Sequence, residues 1–286
     1  MSSPRIGTYN VLIPRTDTPG KGVDLWLSRR EDVVETILEE FDIVGLQECS
    51  FNEDYRQGEY ITERLLEEGW HTYNPSEHKL FNDRFHERIP IFWRPEAFHV
   101  DSAAQLLMSS WTPEELEQVP ILENRYASFV KGRLPGGKHL MFFTLHLQHQ
   151  TSAASQLESS FAHLKREESQ RRLLQALMKT RRAEESVVIA GDFNTGEPLR
   201  LLEQAGFKEI SKVAKSLERW EHNSFHDWEA PLGGEHFDRV FVTPELEGGD
   251  ARIGESLASD HFPVSYRLPE LARVSSMVDT FALTSV

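Results

Sequence analysis

Short apolar stretches that end in carboxylate, amide or imidazole side chains recur along this sequence. The clearest covers residues 187–194, where an apolar run and a glycine precede Asp192 and Asn194. On extended backbone the side chains at i and i+2 lie on one side, so Asp192 could hold or deprotonate a water while Asn194 bonds a phosphoryl oxygen. The alternative is an Asx-rich turn in which Asn194 or Thr195 caps the next helix.

Two earlier apolar stretches have the same design. Glu48 follows residues 42–47, and Asn10 lies among the apolar residues of 8–12. A carboxylate that closes a buried strand must be exposed, paired or metal-bound, because burying a bare charge is costly. Glu48 would suit Mg²⁺ or Mn²⁺ as a hard oxygen ligand, unless it is an ordinary surface glutamate. Asn10 is also explained by an amide that satisfies nearby backbone.

Imidazole groups lie at the ends of two further segments. Asp260 and His261 precede a final apolar run, and adjacent side chains on extended backbone point in opposite directions. Asp260 could therefore face a metal or water while His261 faces a phosphate. Asp238 begins another apolar segment and could bond a ring nitrogen of His261, or form a salt bridge with Arg239. His146 ends a third segment and could reach either phosphate or backbone.

The elements that must position these groups alternate along the chain without a linker, repeat or low-complexity tract. Apolar patterns predict strands at 5–12, 42–47, 89–94, 126–134, 139–146, 186–190, 237–242 and 263–268, and helices at 28–41, 60–68 and 155–181. The Pro/Gly-rich residues 135–138 predict a hairpin turn. Residues 108–124 are interpreted as a surface insertion. We predict one domain over 1–270, with two packed sheets and helices outside, and a C-terminal tail over 271–286.

Composition narrows the function classes. The 31 Lys+Arg and 46 Asp+Glu residues give a formal net charge of −15, which argues against a general duplex nuclease, since such a protein presents a basic face. The single cysteine excludes an intrachain disulfide and a cysteine-based zinc cluster. No secretory signal and no run of about 20 apolar residues is visible. We therefore expect a cytoplasmic protein without a membrane span, and no protein partner is predicted.

Taken in chain order, the polar blocks resemble the endonuclease/exonuclease/phosphatase superfamily, which has the DNase I-like fold. The motifs are Tyr9-Asn10, Leu46-Gln-Glu48, Thr144-Leu-His146, Gly191-Asp-Phe-Asn194, Phe237-Asp238 and Ser259-Asp-His261. The resemblance implies an α/β (α+β) four-layer sandwich, with two central mixed β-sheets flanked by helices and the site at one rim. It implies Glu48, Asn10 and Asp260 on the metal side, with Glu48 the main Mg²⁺ ligand. It implies that Asp192, Asn194, His146, Asp238 and His261 are catalytic.

Similarity to a smaller subgroup of that superfamily adds candidate pocket residues. It rests on a Trp-x-x-Arg stretch within 22–30, a Pro-Ile-Phe-Trp strand within 87–93, an Arg at the start of a strand near 125, and a Ser-Phe-His segment at 224–226. The subgroup implies that Glu87, Arg125, His226 and Trp93 bind substrate. Trp93 stands where many relatives have tyrosine.

The resulting functional prediction is a phosphoesterase that depends on Mg²⁺ or Mn²⁺. It would hydrolyse a phosphodiester or phosphomonoester, in a small molecule or a short nucleic acid, by in-line attack of water. A nuclease that acts on short or terminal nucleic acid is the first alternative. A catalytically silent binding module on the same fold is the second.

Overall fold

The computed structural model of this chain describes residues 3–14, 23–75, 87–118, 124–149, 156–228 and 236–270. The predicted tail at 271–286 lies outside the described residues. The strands are β1 Arg5–Asn10, β2 Ile43–Gln47, β3 Cys49–Ser50, β4 His71–Tyr73, β5 Glu87–Arg88, β6 Ile91–Trp93, β7 His99–Ser109, β8 Arg125–Arg133, β9 His139–His146, β10 Ser186–Asp192, β11 Lys208–Glu209, β12 Ser216–Glu218, β13 Asp238–Val242, β14 Asp250–Ile253 and β15 Val264–Arg267. The α-helices are α1 Val23–Glu40, α2 Gln57–Glu67, α3 Pro113–Gln118, α4 Gln156–Thr180, α5 Arg200–Gln204 and α6 Ile210–Val213, and a 3₁₀ turn covers Pro244–Leu246.

Two mixed β-sheets form the centre of the molecule. The first has seven strands in the order β12-β14-β15-β1-β2-β6-β4, and the second has six in the order β11-β13-β10-β9-β8-β7. Strands β3 and β5 pair separately beside the first sheet's rim. Each large sheet has a parallel pair at its middle, β1 with β2 and β9 with β10, and the first sheet has a second parallel pair, β12 with β14, at its edge.

Strand register brings the polar strand ends side by side. In the second sheet, Asp192 at the end of β10 lies opposite His146 of β9 and Asp238 of β13. In the first sheet, Asn10 at the end of β1 lies opposite the last residue of β2, which Glu48 follows. Because parallel strands end at the same edge of a sheet, residues far apart in sequence reach one rim.

Apolar side chains fill the three interfaces between four layers. Between the sheets lie Ile6, Ile43, Ile91, Val130, Phe142, Val188, Val240 and Val264. Helices α1 and α2 cover the first sheet through Trp26, Val33, Ile37, Ile61 and Leu65, and α4 and α5 cover the second through Leu173, Leu177 and Leu202. Each such side chain contributes about 1.5–3 kcal/mol when fully buried. The predicted four-layer sandwich is confirmed.

A polar contact fixes the two sheets against each other just beneath the rim. A Cβ on Gly45 would lie 2.1 Å from Thr144, so β2 and β9 approach as closely as a glycine allows. Gln47 Nε2 donates to Thr144 Oγ1 at 2.8 Å, and Thr8 Oγ1 donates to Gln47 Oε1 at 2.7 Å. These buried hydrogen bonds join three strands, and therefore set the register of one sheet against the other.

The prediction of a surface insertion at residues 108–124 is wrong at its start. Met108 and Ser109 are buried residues of β7, an eleven-residue strand that the sequence analysis missed. Strand β7 lies at the edge of the second sheet, exposes most of its residues, and has two register irregularities against β8. It lacks the apolar alternation that identifies a half-buried strand. Helix α3 follows, and residues 119–123 lie outside the described part.

Helix bounds differ most where the apolar signal is weak. Helix α1 begins at Val23, five residues before the predicted start at 28, whereas α4 ends at Thr180, one residue before the prediction. Leu164 of α4 is 55% exposed, so the apolar face of that helix does not extend to it. None of the helices that the structure describes has the length and apolar character of a membrane span.

Candidate active site

Asn10 joins the two sheets at their common rim. Its Nδ2 donates to Glu48 Oε1 at 3.2 Å and to Asp192 Oδ2 at 3.1 Å, so one amide holds a carboxylate from each sheet. Its Oδ1 accepts the backbone N–H of Leu12 at 3.0 Å. Carboxylates accept and do not donate, so the nitrogen must face them. Asn10 is thus a donor that spaces two carboxylates in this structure, whereas we expected it on the metal side.

Glu48 closes β2 in a strained conformation. Its φ is 55°, and a non-glycine residue in the left-handed region costs on the order of 1–3 kcal/mol, a cost typical of functional sites. Its Oε2 accepts the backbone N–H of Ile13 at 3.0 Å, and its own N–H donates to Glu87 Oε1 at 3.2 Å. The carboxylate is half-buried and is held from two sides at the rim.

His261 and Asp238 form the first of two carboxylate–imidazole pairs. His261 Nδ1 lies 2.7 Å from Asp238 Oδ2, and both side chains are buried. Burial alone would lower the pKa of His261, but the charge of Asp238 and this hydrogen bond outweigh it and raise the pKa to about 10. Arg239 instead makes a two-point ion pair with Glu209, so Asp238 is left to the imidazole. The ring's Nε2 lies 4.0 Å from Asp192 Oδ2.

His146 and Glu87 form the second pair. His146 Nδ1 lies 2.7 Å from Glu87 Oε1, and its Nε2 lies 3.6 Å from Asp192 Oδ2. Burial and the charge of Arg125 lower the pKa of His146, but Glu87 raises it above the usual value. Arg125 Nη1 lies 3.8 Å from Glu87 Oε2 and 3.3 Å from His146 Nδ1. The structure therefore brings Glu87 and Arg125 to the site beside His146.

Asp192 is the centre of the arrangement. The Nε2 atoms of both imidazoles face its Oδ2, and its Oδ1 accepts the backbone N–H of Asn194 at 2.8 Å. Burial and the nearby charge of Asp238 raise the pKa of Asp192, while the two histidines oppose the shift. A carboxylate of raised basicity between two imidazolium donors can take a proton while its neighbours bind negative oxygens.

Asn194 lies at the rim, and one of its interactions differs from the expectation. It has a left-handed φ of 51°, and its Nδ2 donates to the backbone carbonyl of Leu147 at 3.0 Å. One of its two amide protons therefore holds the loop after β9, which leaves the other for a ligand. It does not cap a helix: α5 begins after Leu199 without a side-chain cap, and Thr195 bonds the N–H of Glu197.

Hard oxygen ligands at the rim fit a magnesium or manganese ion. Five carboxylates lie there, those of Glu48, Glu87, Asp192, Asp238 and Asp260, and repulsion between Asp192 and Asp238 contributes to the raised pKa of Asp192. Asp260 is buried, and its charge acts on both His261 and Arg29. A divalent cation would offset this excess negative charge, and carboxylates are its preferred ligands.

Within the described part of the chain, a second group of side chains could also bind a metal ion. Asp192, Asp238 and His261 each bring one potential ligand atom within 4.8 Å of the others. However, Asp238 holds Nδ1 of His261 at 2.7 Å and its charge raises the pKa of the ring, so a cation at Nε2 would have to displace a proton. This group is suited to moving protons, and the metal ligands are better sought at Glu48 and Asp260.

Two candidate pocket residues are buried, and one of them, Trp93, lies away from the rim. Trp93 pairs with Ile43 at the far end of β2 from Glu48 and is buried in the cluster between the sheets, so the prediction that it binds substrate is wrong. His226 is also buried: its ring stacks on Phe262 with 4.1 Å between centroids, and its Nδ1 accepts the N–H of Trp228. It supports the loop that carries Asp260, whose carbonyl accepts the N–H of His226.

Sequence reasoning missed the residue that fastens the rim loops. Arg29 is buried, and its Nη1 donates to the carbonyls of Val11 and Ala258 at 2.6 Å each, while its Nη2 donates to that of Leu12. It therefore ties the loop after Asn10 to the loop before Asp260. The Trp-x-x-Arg spacing around Arg29 was visible in the sequence. Its partners could not be predicted, because every residue type has a backbone carbonyl.

An aromatic wall borders the site on the His261 side. Phe225 forms an isolated bridge with His261, and the two ring centroids are 4.9 Å apart. Phe237 stacks on Phe225 at 5.9 Å, and both side chains are partly exposed. The wall adds an apolar surface next to the imidazole of His261.

Comparison with known proteins agrees with this geometry. The model of the family described as the Endonuclease/Exonuclease/phosphatase family matches residues 7–261. No curated protein matches the sequence significantly.

Solved structures give the same fold. The mannosyl-6-phosphatase Bt3783 of Bacteroides thetaiotaomicron is 20% identical, with a TM-score of 0.72 over 93% of this chain and 100% of that one. The catalytic domain of human Nocturnin with a bound sulfate anion is 16% identical, with a TM-score of 0.63 over 94% and 95% of the two chains. Truncated Caenorhabditis elegans TDP2 is 14% identical, with a TM-score of 0.62 over 93% and 97%.

Proposed function

The chain belongs to the endonuclease/exonuclease/phosphatase family, and on that premise we propose that it is a divalent-metal-dependent phosphoesterase that hydrolyses its substrate by in-line attack of water. Members of this family are hydrolases of phosphate esters. One observation carries the proposal. The Nε2 atoms of His146 and His261 converge on one oxygen of Asp192, which the amide of Asn10 connects to Glu48.

The imidazoles bind the phosphate in this mechanism. Each ring's Nδ1 is held by a carboxylate at 2.7 Å, so the Nε2–H points away from that carboxylate toward the cleft. Two imidazolium N–H donors, supported by Arg125, can bind the non-bridging oxygens and stabilise the charge that grows on them. Removing one preorganised donor of this kind typically costs about 10²–10³-fold in rate.

Asp192 orients and deprotonates the attacking water. Its raised pKa makes it a stronger base than an exposed aspartate, and Asn10 and Asn194 fix one oxygen each. The proton of the water passes to Asp192 as the oxygen attacks phosphorus. The second amide proton of Asn194 is a further donor for a phosphoryl oxygen.

Glu48 and Asp260 would hold Mg²⁺ or Mn²⁺. Oxygen ligands favour these ions over softer metals. When bound, such an ion polarises the phosphoryl group and stabilises the leaving oxygen. Asn10 keeps Glu48 and Asp192 apart, because its Nδ2 lies between their oxygens.

A small phosphate ester is the substrate class that the surface charge favours. A net charge of −15 repels a long polyanion, since non-specific nucleic-acid binding depends on basic contacts. Among the proteins of the same fold, Bt3783 is named a mannosyl-6-phosphatase, which makes sugar phosphates a rational first panel. A nuclease for short or terminal nucleic acid and a silent binding module are the competing proposals. A cytoplasmic location and the lack of a protein partner stay predictions.

The test is a hydrolysis panel on the purified protein with Mg²⁺, Mn²⁺ or EDTA. The panel contains p-nitrophenyl phosphate, bis-p-nitrophenyl phosphate, hexose 6-phosphates and a short oligonucleotide. Metal-dependent turnover of a small ester should fall about 10²-fold or more in Asp192→Asn and His261→Ala. Asp101→Asn, on an exposed strand edge, is the matched control and should keep full activity. Turnover within about tenfold of wild type in both site variants would contradict the proposed mechanism.

A further inference from the structure

A cavity of about 480 Å³ lies behind the rim, between α4, the start of α5 and the segment that follows β10. Polar side chains line much of it: His163, Arg166 and Gln170 from α4, and Thr195, Glu197 and Arg200 from the other wall. The volume is in the range of about 300–1,000 Å³ that small-molecule sites occupy. None of these residues has a part in the mechanism above.

Arg166 is the unusual group in this cavity. It is 6% exposed, and its Nη1 donates to the backbone carbonyl of Gln148 at 3.1 Å. Among the residues that the structure describes, no carboxylate lies within salt-bridge distance of its guanidinium. Burial lowers its pKa, but an arginine remains protonated in a protein. A buried cation without a directly paired anion is costly, and only the longer-range charge of Glu197, on the opposite wall, favours the charged form of Arg166.

The acidic residues nearby have other partners. Glu167 Oε2 accepts Arg171 Nη2 at 2.7 Å, and Glu197 Oε2 lies 3.8 Å from His163 Nδ1. Thr195 Oγ1 accepts the N–H of Glu197 at 3.1 Å, which leaves the hydroxyl proton of Thr195 as a donor. The cavity therefore offers hydrogen-bond donors and the charges of Arg166 and Arg200, while Glu167 is paired with Arg171 and the side chain of Glu197 is exposed.

We propose that this cavity is a second anion-binding site, separate from the metal-bearing rim, and that it takes the phosphate group of a small molecule. A guanidinium with free N–H groups matches phosphate oxygens in geometry and charge, and Arg200 adds a cation at the edge. Two backbone connections join the cavity to the rim. Arg166 bonds the carbonyl of Gln148, two residues after His146, and Thr195 directly follows Asn194. The proposal does not depend on hydrolysis at the rim.

Amide NMR of the full-length, metal-free protein tests this site directly. Titration with inorganic phosphate should shift the amides of Thr195 and Glu197 and the side-chain amide of Gln170 in a saturable way. The same shifts should persist in His261→Ala, where the rim has lost an imidazole. A hexose bisphosphate distinguishes two sources of the anion: a remote phosphate of the substrate would move cavity and rim amides together, whereas a free phosphate site would titrate independently of the rim. Both results support an anion site.

Substitutions separate the site from general stability. Arg166→Gln should weaken phosphate binding at the cavity by about tenfold or more, as expected for loss of a charged hydrogen bond, and Arg166→Lys should restore part of it. Arg200→Glu keeps the Gln148 contact intact and should also weaken binding. Arg172→Gln, on the same helix but paired with Glu168, is the control and should bind as wild type. Absence of saturable shifts in the wild type, or unchanged binding in both Arg166→Gln and Arg200→Glu, would overturn the proposal.

Discussion

Two carboxylate–imidazole pairs at the rim, His261 with Asp238 and His146 with Glu87, raise the pKa of both histidines. The pairing of His261 with Asp238 was predictable, because an acid at the start of one apolar segment and a histidine before another suggested it. The pairing of His146 with Glu87 was not, since Glu87 follows a stretch without regular pattern and only its resemblance to a subgroup singled it out. Side-chain partners across sheets depend on register that no local pattern encodes.

The first prediction concerns the protonation of His261. In the metal-free protein His261 should stay protonated until pH approaches 10, because Asp238 outweighs burial and raises its pKa to about 10. In Asp238→Asn the pKa should fall, since the charge and hydrogen bond of Asp238 are lost and only the charges of Asp192 and Asp260 still oppose burial. NMR titration of the imidazole measures both values, with Asp101→Asn as control. A wild-type ring that loses its proton near pH 6.5, the usual histidine value, would contradict the assigned pair.

The same shift has a consequence for stability. A pKa that is higher in the folded than in the unfolded state, about 6.5, stabilises the folded protein below that pH, and the contribution is lost as pH rises toward 10. Asp238→Asn should therefore unfold at lower urea concentration than wild type at pH 6, and the difference should narrow toward pH 10. A difference that grows with pH would have the wrong sign for this pair.

A further residue-scale prediction concerns Asn10. Asn10→Asp replaces the amide between Glu48 and Asp192 with a third carboxylate, so the metal-free protein should lose on the order of 1–3 kcal/mol of unfolding free energy. Mn²⁺ should then stabilise the variant more than it stabilises wild type, because the added charge favours the cation. Urea unfolding with and without Mn²⁺ measures this. Equal stabilisation of both proteins would show that no cation binds beside Asn10.

Individual elements were predictable to different degrees. Strand β9 matches its predicted bounds of 139–146, because it is a fully buried apolar run that ends where polar residues begin. Strand β7 was missed, because an exposed edge strand carries no apolar period. The tight contact of β2 on β9 at Gly45 was also invisible, since a glycine in a strand indicates close approach without naming the partner.

The buried side chain of Arg29 holds the loop after β1 and the loop before Asp260 together. This contact between loops can be tested by substitution. Arg29→Lys keeps the charge but loses the planar fork that bonds three carbonyls, so the loops of Asn10 and Asp260 should loosen. We expect weaker Mn²⁺ binding, by about tenfold, with a smaller loss in Arg29→Lys than in Arg29→Met. Mn²⁺ titration by electron paramagnetic resonance reports it without turnover. Arg30→Lys, half-exposed on the same helix, is the control, and equal effects in both positions would refute the loop-fastening role.

The whole molecule places one rim at the junction of two sheets, and the order of polar motifs along the chain was enough to predict this architecture. The motifs could not identify which pocket residues reach the cleft, as the buried position of Trp93 at the far end of β2 demonstrates. They also gave no sign of the cavity at Arg166, because its walls come from α4 and a loop whose packing depends on the tertiary fold. One domain over 1–270 followed by a C-terminal tail over 271–286 stays a prediction. If it is right, a chain that ends at residue 270 should unfold and hydrolyse substrate like the full chain.

Net charge gives a prediction for the molecule as a whole. With a formal charge of −15, the protein should contact few phosphates of any substrate, so its kcat/KM should change little with salt. A nuclease that neutralises several phosphates instead loses affinity with a slope of about −0.7 per phosphate on a single strand. Measuring kcat/KM for p-nitrophenyl phosphate and an oligonucleotide across a salt series separates these cases. Steep salt dependence with the oligonucleotide as the better substrate would favour the nuclease.

The position of the metal relative to the two imidazoles tests the central claim most directly. A crystal soaked with Mn²⁺ and phosphate should give an anomalous peak bound by Glu48 and Asp260, and phosphate oxygens within hydrogen-bond distance of Nε2 of His146 and His261. A peak coordinated by His261 and Asp238, or no peak at the rim, would contradict the assignment of these residues to phosphate and proton rather than to metal.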